Sequence, residues 1–312
     1  MFYLEKQKFG SLDCYKFAKG GTDFSASFLP GFGGMLNAFK VNIHSKSVDL
    51  IEGYSDIDDL IKNHSIFFRS GKLSPFPNRI KKGKYSFAGN DYQLLCNFPK
   101  EGNSIHGLVY NKSFSVVKTE CQEEKAVLVL SLNCNGSEPG YPFRYELTIE
   151  YVIEFNKLLC RTTIRNKDSE KIPMGDGWHP YFSLAKRIDE LQLQLPESFV
   201  FDDGKSTNHT SCYSPKKIGQ EKFDTCFRLS ENKTGSEIKL TDPENNFLLN
   251  VWQECGENKY NYFQLYIPPS RKSIAIEPMT CPPDAFNSKE GLIVLEPDEE
   301  INLSFGFEIS SQ

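Results

Sequence analysis

Short stretches rich in β-branched and aromatic residues recur along the chain, and they constrain the fold more than any other feature. The clearest lie at residues 125–134, 145–155, 158–167, 247–254, 262–268, 273–279 and 301–310. Polar or Gly/Pro-rich segments separate them, and several alternate apolar and polar residues, as half-buried strands do. Helical periodicity is scarce, and the best short helix is expected in part of residues 47–63. The pattern predicts an all-β fold of stacked antiparallel sheets.

The length of 312 residues fits one large β-rich domain, because sandwiches and barrels often reach that size. No repeat, low-complexity tract or linker divides the chain, so we expect a single domain over residues 1–312. Two prolines and a Gly-Asn pair indicate loops and hairpins in residues 70–110.

Composition argues against several classes of partner. The net charge is -5 and no long basic run occurs, so we expect no nucleic acid. No apolar run reaches the roughly 18–20 residues that span a bilayer, and the first residues lack the apolar core of a secretory signal. The 9 cysteines are odd in number and contain no C-x-x-C pair, which favours free thiols in a reducing cytoplasm. No nucleotide-binding, serine-hydrolase or zinc-protease motif occurs, so we expect no cofactor and no metal.

The chain contains 5 histidines, of which two have settings suited to chemistry. His44, His64 and His209 have polar neighbours, and we expect them on the surface. His106 and His179 lie close to glycine among apolar residues. Each is either a semi-buried structural histidine or an acid–base group.

Glu277 follows an apolar strand and precedes a proline-rich bend. Burial at that point would raise the pKa of the carboxyl and make it a better base near neutral pH, whereas a side chain turned outward would be ordinary. Arg79 is either a surface cation or a fork of donors for oxygen ligands. Asp224, between aromatic residues, is either a turn residue or an acceptor for a ligand.

Taken in order, six segments resemble the aldose 1-epimerase (mutarotase) family, over about residues 24–310. The segments are FLPGFGGMLNAFKV (28–41), NRI, GKYSFAGNDYQL and IHG (within 78–107), WHPYFSL (178–184), FDTCF (223–227), FQLYIP (263–268) and IAIEPMTCPPDAFN (274–287). The similarity of each segment alone is modest, but six segments in the family's order make the resemblance strong.

The resemblance implies a galactose mutarotase-like β-sandwich that interconverts the α and β anomers of aldoses. Its partner would be a small sugar, and no cofactor or metal is needed. By position, His179 matches the general acid and Glu277 the general base of the family. The residues that match those holding the sugar hydroxyls and ring oxygen are Arg79, His106, Asp224 and Gln264. Trp178 and Phe182 offer an apolar wall for the C–H face of a sugar.

Two residues depart from the pattern of galactose mutarotases. Trp178 stands where those enzymes carry asparagine, and Pro180 follows the histidine. Both traits resemble the divergent branch that includes hexose-6-phosphate epimerases. The alternatives are therefore a glucose-6-phosphate 1-epimerase and a non-catalytic carbohydrate-binding protein on the same fold.

A phosphate would need cations that converge on one point. Lys81 and Lys82 are neighbours and would face opposite ways in a strand, so Arg271 is the better candidate. A single cation does not make a phosphate site, so we expect neutral aldoses to be the substrates. The sequence leaves the oligomeric state open.

Overall fold

Three antiparallel sheets form the bulk of the protein, and the computed structural model describes residues 1–43, 46–184, 187–202, 205–210, 214–230 and 235–311. The first sheet has five strands in chain order: β1 (Phe2–Phe9), β2 (Leu12–Lys19), β3 (Ser25–Leu29), β4 (Met35–Ile43) and β5 (Lys46–Asp49).

The largest sheet has nine strands. They are β10 (Ser115–Cys121), β11 (Lys125–Asn135), β12 (Arg144–Glu154), β13 (Lys157–Asn166), β16 (Gln192–Gln194), β19 (Lys216–Lys217), β21 (Gly235–Asp242), β22 (Phe247–Glu254) and β26 (Glu300–Ser311). Their spatial order is β10-β11-β12-β13-β26-β22-β21-β16-β19, so β26 lies in the middle of the sheet.

The third sheet has six strands in the order β15-β24-β23-β20-β17-β18. They are β15 (Tyr181–Phe182), β17 (Ser198–Asp202), β18 (Lys205–Thr210), β20 (Asp224–Leu229), β23 (Tyr262–Tyr266) and β24 (Ile274–Met279). Three small pairs complete the β structure: β6 (Arg79–Ile80) with β9 (Ser104–Ile105), β7 (Lys84–Phe87) with β8 (Asn90–Gln93), and β14 (Ile172–Met174) with β25 (Ile293–Leu295).

Helical structure is confined to short segments of the described chain. They are α1 (Ile57–Phe67), α2 (Ala285–Ser288) and two 3₁₀ turns at Lys81–Gly83 and Ile188–Glu190. None of these helices is long and apolar enough to cross a membrane.

The predicted all-β class and sandwich architecture are confirmed, because the five- and six-stranded sheets pack on one face of the nine-stranded sheet. Phe307 on β26 shows the arrangement most directly. Its ring centroid lies 4.8 Å from that of Phe39 on β4 and 5.2 Å from that of Phe182 on β15. One side chain thus joins all three sheets within the core.

The seven predicted strands are present as β11, β12, β13, β22, β23, β24 and β26, with ends that differ by at most a few residues. The helix expected in part of residues 47–63 is present as α1, which continues past residue 63 to Phe67. Residues from Lys46 to Asp49 form the edge strand β5, and α1 begins only at Ile57. Asp56 determines this start, since its side chain accepts a hydrogen bond from the Asp59 amide at 2.8 Å.

The predicted β7–β8 hairpin is present, but its turn lies one residue earlier than the Gly-Asn pair. Ala88 and Gly89 have φ of 49° and 79°, the left-handed geometry of a tight two-residue turn, and Asn90 pairs with Phe87. Eight cysteines in the described residues are free thiols, and Cys212 lies outside those residues.

The position of Phe307 predicts its contribution to stability. The side chain is 1% exposed, and its loss would leave a cavity where the three sheets meet. We expect Phe307→Ala to lower the free energy of unfolding by about 3–5 kcal/mol. The matched control is Phe155→Ala, because Phe155 is 47% exposed, and here we expect about 1 kcal/mol or less. Urea denaturation of both variants measures the difference, and similar losses would contradict the proposed junction.

Candidate functional site

A cleft of about 220 Å³ lies on the face of the six-stranded sheet that turns away from the nine-stranded sheet. Six of the seven predicted site residues line it: Arg79, His106, His179, Asp224, Gln264 and Glu277. They come from positions up to about two hundred residues apart in the chain, so the packing of the sheets brings them together.

Strand register places His179 opposite Glu277. Tyr181 pairs with Ala275 in β15 and β24, and Gly177 forms a bridge with Met279 in the same antiparallel register. His179 lies halfway between these two pairs, across from Glu277. The distance from His179 Nε2 to Glu277 Oε1 is 3.3 Å. The two predicted acid–base residues are therefore in direct contact.

The neighbouring strands add polar groups beside this pair. Gln264 on β23 pairs directly with Glu277, and Asp224 on β20 pairs with Tyr266, two residues further along β23. The Gln264 Nε2 donates to Asp224 Oδ1 at 2.9 Å. Within the described residues, the buried Gln264 Oε1 and Glu277 Oε2 have no hydrogen-bond partner. These oxygens are acceptors that a bound hydroxyl can use.

A short two-stranded ladder carries Arg79 and His106 to the other side of the cleft. Arg79 on β6 pairs with Ile105 on β9, and the His106 amide donates to the Asn78 carbonyl at 2.7 Å. The His106 ring centroid lies 5.1 Å from that of His179, with the rings nearly perpendicular. His106 therefore reaches the same point as the acid–base pair.

His106 has a φ of 61°, a left-handed conformation that non-glycine residues rarely adopt. Gly107 follows at φ 75°, and a Cβ there would lie 2.3 Å from the Ser74 carbonyl oxygen. Only glycine fits so close an approach, which explains why the histidine is followed by glycine. Strained backbone of this kind is typical of functional sites.

Burial acts on both members of the central pair and disfavours both charges. It raises the pKa of Glu277, which is 1% exposed, well above its ordinary value, and nearby Asp224 adds to the rise. Burial lowers the pKa of His179 to about 3. It also lowers the pKa of His106 well below its ordinary value, and His179 contributes to that shift. Burial thus favours the neutral form of each member of the His179–Glu277 pair.

The predicted aromatic wall of Trp178 and Phe182 was wrong, because neither residue is among those that line the cleft. Adjacent residues in an extended chain face opposite ways, so Trp178 points from the His179 segment into the core. There its ring contacts Phe305 and Tyr151. Phe182 is fully buried against Phe307.

Other aromatic residues take the place of that wall. The Tyr181 ring stacks on the His179 ring at 4.9 Å and 12°, and Tyr266 and Phe68 also line the cleft. Tyr181 and Tyr266 lie two residues after His179 and Gln264, so the period of two could have identified them. Phe68 comes from the end of α1 and carries no such signal.

The phosphate candidates lie elsewhere. Arg271 pairs with Asp189, and its Nη1 and Nη2 donate to the carbonyls of Glu221 and Gly219 at 3.0 and 2.7 Å. Neither Arg271 nor the exposed Lys81 and Lys82 are among the cleft-lining residues.

The expected surface position of His64 was also wrong, since His64 is 3% exposed on the inner face of α1. Its Nδ1 lies 3.0 Å from the Tyr54 hydroxyl, and its ring contacts Phe32 and Phe68. Burial lowers its pKa to about 4. His44 and the side chain of His209 lie outside the described residues.

Comparison with known proteins gives a consistent result. The family model described as aldose 1-epimerase matches residues 13–308. An uncharacterized protein of Escherichia coli K12, YihR, is 28% identical over 245 residues, which cover 75% of this chain and 76% of YihR. The galactose mutarotase of Mus musculus is 26% identical over 140 residues, which cover 45% of this chain and 39% of the mouse protein.

Solved structures share the fold over all or nearly all of the chain. A galactose mutarotase-like protein from Clostridium acetobutylicum superposes with a TM-score of 0.83 at 18% identity, covering 100% of this chain and 99% of that one. A GalM/aldose epimerase homologue from C. elegans gives a TM-score of 0.77 at 18% identity, covering 94% and 97%.

The low pKa of His64 predicts a loss of stability in acid. The unfolded chain takes up a proton near pH 6.5, whereas the folded protein does not until about pH 4, so stability present above 6.5 is lost as the pH falls between these values. From pH 7 to pH 5 the wild type should lose on the order of 2 kcal/mol more than His64→Gln. Urea denaturation of both proteins at both pH values measures this, and equal losses would refute it.

Proposed function

Because the chain belongs to the aldose 1-epimerase family, we propose that it interconverts the α and β anomers of a neutral aldose by opening and closing the sugar ring. The contact of 3.3 Å between His179 Nε2 and Glu277 Oε1, buried in a cleft with free acceptor oxygens, carries the proposal. A hemiacetal bears its hydroxyl and its ring oxygen on the same carbon. Two proton-exchanging groups side by side can therefore serve both oxygens at once.

Ring opening needs one proton removed and one supplied. Glu277 takes the proton of the C1 hydroxyl, the bond from C1 to the ring oxygen breaks, and His179 gives a proton to that oxygen. Rotation about the C1–C2 bond exposes the other face of the aldehyde, and the reverse transfers close the ring. The number of protons on the pair and sugar together does not change, so no exchange with solvent is required.

The buried setting suits this chemistry. The reactive form has Glu277 as carboxylate and His179 as imidazolium, and both charges disappear when the ring opens. Since burial disfavours both charges, the dry cleft favours the transfer that removes them. A positioned acid and base each contribute typically about 10² to 10⁴ in rate.

The remaining polar residues hold the sugar. Asp224 and Gln264 form one acceptor and donor group beside Glu277, while Arg79 and His106 approach from the β6–β9 side. Tyr181, Tyr266 and Phe68 supply apolar surface for the C–H groups of the ring. A small number of polar groups within an aromatic lining is the usual form of a site for a small polar ligand.

The charges around the cleft favour an uncharged sugar over a sugar phosphate. Among the described residues that line it, Arg79 is the only lysine or arginine, and the carboxylates Glu101 and Asp224 are also present. A phosphate group needs several converging donors, and Arg271 is already bound to Asp189 and two carbonyls.

The acid–base roles predict a sharp loss of activity without a loss of fold. Glu277→Gln and His179→Asn should each lower turnover by at least about 10², because each removes one proton-transfer partner while keeping a similar shape. The matched control is Glu257→Gln, which makes the same chemical change at an exposed position and should leave turnover unchanged. Polarimetry of freshly dissolved α-glucose and α-galactose gives the rates, and circular dichroism checks the fold. Near-normal rates in either site variant would refute the acid–base role of that residue.

The charges that line the cleft predict a preference for neutral substrates. Glucose should be converted with a higher kcat/KM than glucose 6-phosphate, and Arg271→Ala should change neither value more than about twofold, since Arg271 does not line the cleft. The rates for glucose and glucose 6-phosphate, measured in the wild type and in Arg271→Ala, test this preference. A phosphosugar preference of about 100-fold or more, lost in Arg271→Ala, would overturn the choice of neutral aldoses.

A further inference from the structure

A buried charged cluster lies on the core side of the chain segment that carries His179. Lys72 and Asp176 are both fully buried and form an ion pair between Nζ and Oδ1. The Tyr260 hydroxyl donates to the same Asp176 oxygen at 2.8 Å, and Lys72 Nζ also contacts the Thr162 hydroxyl at 3.1 Å. Neither the ion pair nor its partners are among the residues that line the cleft. The cluster therefore does not touch a bound sugar.

The cluster and His179 share one short stretch of extended chain. In residues 176–179 the side chains alternate between two faces, so Asp176 and Trp178 turn inward while His179 turns into the cleft. Lys72 forms a bridge with Trp178 and places its Nζ 4.5 Å from the centre of the indole ring. Lys72 thus holds the inner face of the stretch through its ion pair with Asp176 and its contact with the Trp178 ring.

Backbone hydrogen bonds transmit this hold to His179 and to Glu277. On one side, the His179 amide donates to the Gly71 carbonyl at 3.1 Å. On the other, the Trp178 amide donates to the Pro278 carbonyl at 3.2 Å, next to Glu277. The Asp176 backbone is tied to the residue that follows β24, since its amide donates to the Thr280 hydroxyl at 2.9 Å. A shift of Asp176 would therefore move His179 relative to Glu277.

We propose that the Lys72–Asp176–Tyr260 cluster is a positioning device, which fixes the distance between His179 and Glu277 from the core side. This inference rests on the proposed function of the pair. A buried ion pair is often no more stabilising than apolar residues of the same volume, so stability alone does not explain its presence. Its fixed geometry and its connection to both acid–base residues do explain it.

The proposal separates the effect on turnover from the effect on binding. Proton transfer depends steeply on the distance between His179 and the reacting oxygen. The contacts proposed to hold the sugar come from β20, β23 and the β6–β9 ladder, whereas the hydrogen bonds of the cluster join Lys72, Asp176, Tyr260 and Thr162. A loosened cluster should therefore lower kcat and leave KM nearly unchanged.

Tyr260→Phe is the decisive variant, because it removes one hydrogen bond to Asp176 and keeps the ion pair and the ring. Tyr85→Phe is the matched control: Tyr85 is also buried, and its hydroxyl donates to the Gly140 carbonyl at 2.8 Å. We expect Tyr260→Phe to lower kcat about tenfold with KM within about twofold, and Tyr85→Phe to change neither. An unchanged kcat in Tyr260→Phe, or an equal fall in Tyr85→Phe, would overturn the proposal.

A second measurement keeps the test independent of catalysis. The imidazole resonances of His179, assigned by their absence in His179→Asn, are recorded by NMR in wild type and in both tyrosine variants. They should shift in Tyr260→Phe and stay in place in Tyr85→Phe. If the wild type fails to interconvert any anomers, the proposed function fails, while these resonances still decide the positioning role. Unshifted His179 resonances in Tyr260→Phe would refute it.

Discussion

The burial of a carboxyl group opposite a histidine is the constraint on which the site depends. Glu277 belongs to a strand with every residue buried, and an isolated charge there would be costly. The contact with His179 lowers that cost, because one proton can be shared and the pair can be neutral as a whole. Desolvation therefore favours the neutral form of both groups, and the charge of nearby Asp224 adds to the rise in the pKa of Glu277.

The large sheets make this contact possible because they hold the strands in register and bury Glu277 away from water. β24 is covered on its inner face by the nine-stranded sheet and is flanked by β15 and β23. Side chains such as Phe307 fill the junction between the sheets, and Glu277 is only 1% exposed. The same packing fixes the register that places His179, Gln264 and Glu277 side by side. The architecture and the chemistry are thus consequences of one arrangement of strands.

The sequence predicted the elements that have a strong local signal. Long strands such as β11 and β12 show the alternation of apolar and polar residues that a half-buried sheet requires. The order of the short motifs led to Glu277, His179 and their polar neighbours. Two errors could have been avoided with local rules. Trp178 and His179 are adjacent and cannot both face the cleft, and His64 lies on the same helical face as Leu60, which is buried.

Other features were not accessible from the sequence because they depend on distant partners. Arg271 is bound by Asp189, and Phe68 reaches the cleft only because α1 packs beside His106. No local pattern carries that information. The link from Lys72 to Asp176 is of the same kind, since about one hundred residues separate its two ends.

The fixed position of residues 176–179 has a consequence for how a sugar would reach the cleft. Hydrogen bonds hold this stretch from both sides, and its inner face packs in the core. A sugar bound in the cleft would enter and leave at the rim, where Ile66 is 59% exposed and where Glu101 and Asn103 also line the cleft. Under the proposed reaction, the speed of exchange and the precision of the chemistry are set by different parts of the molecule.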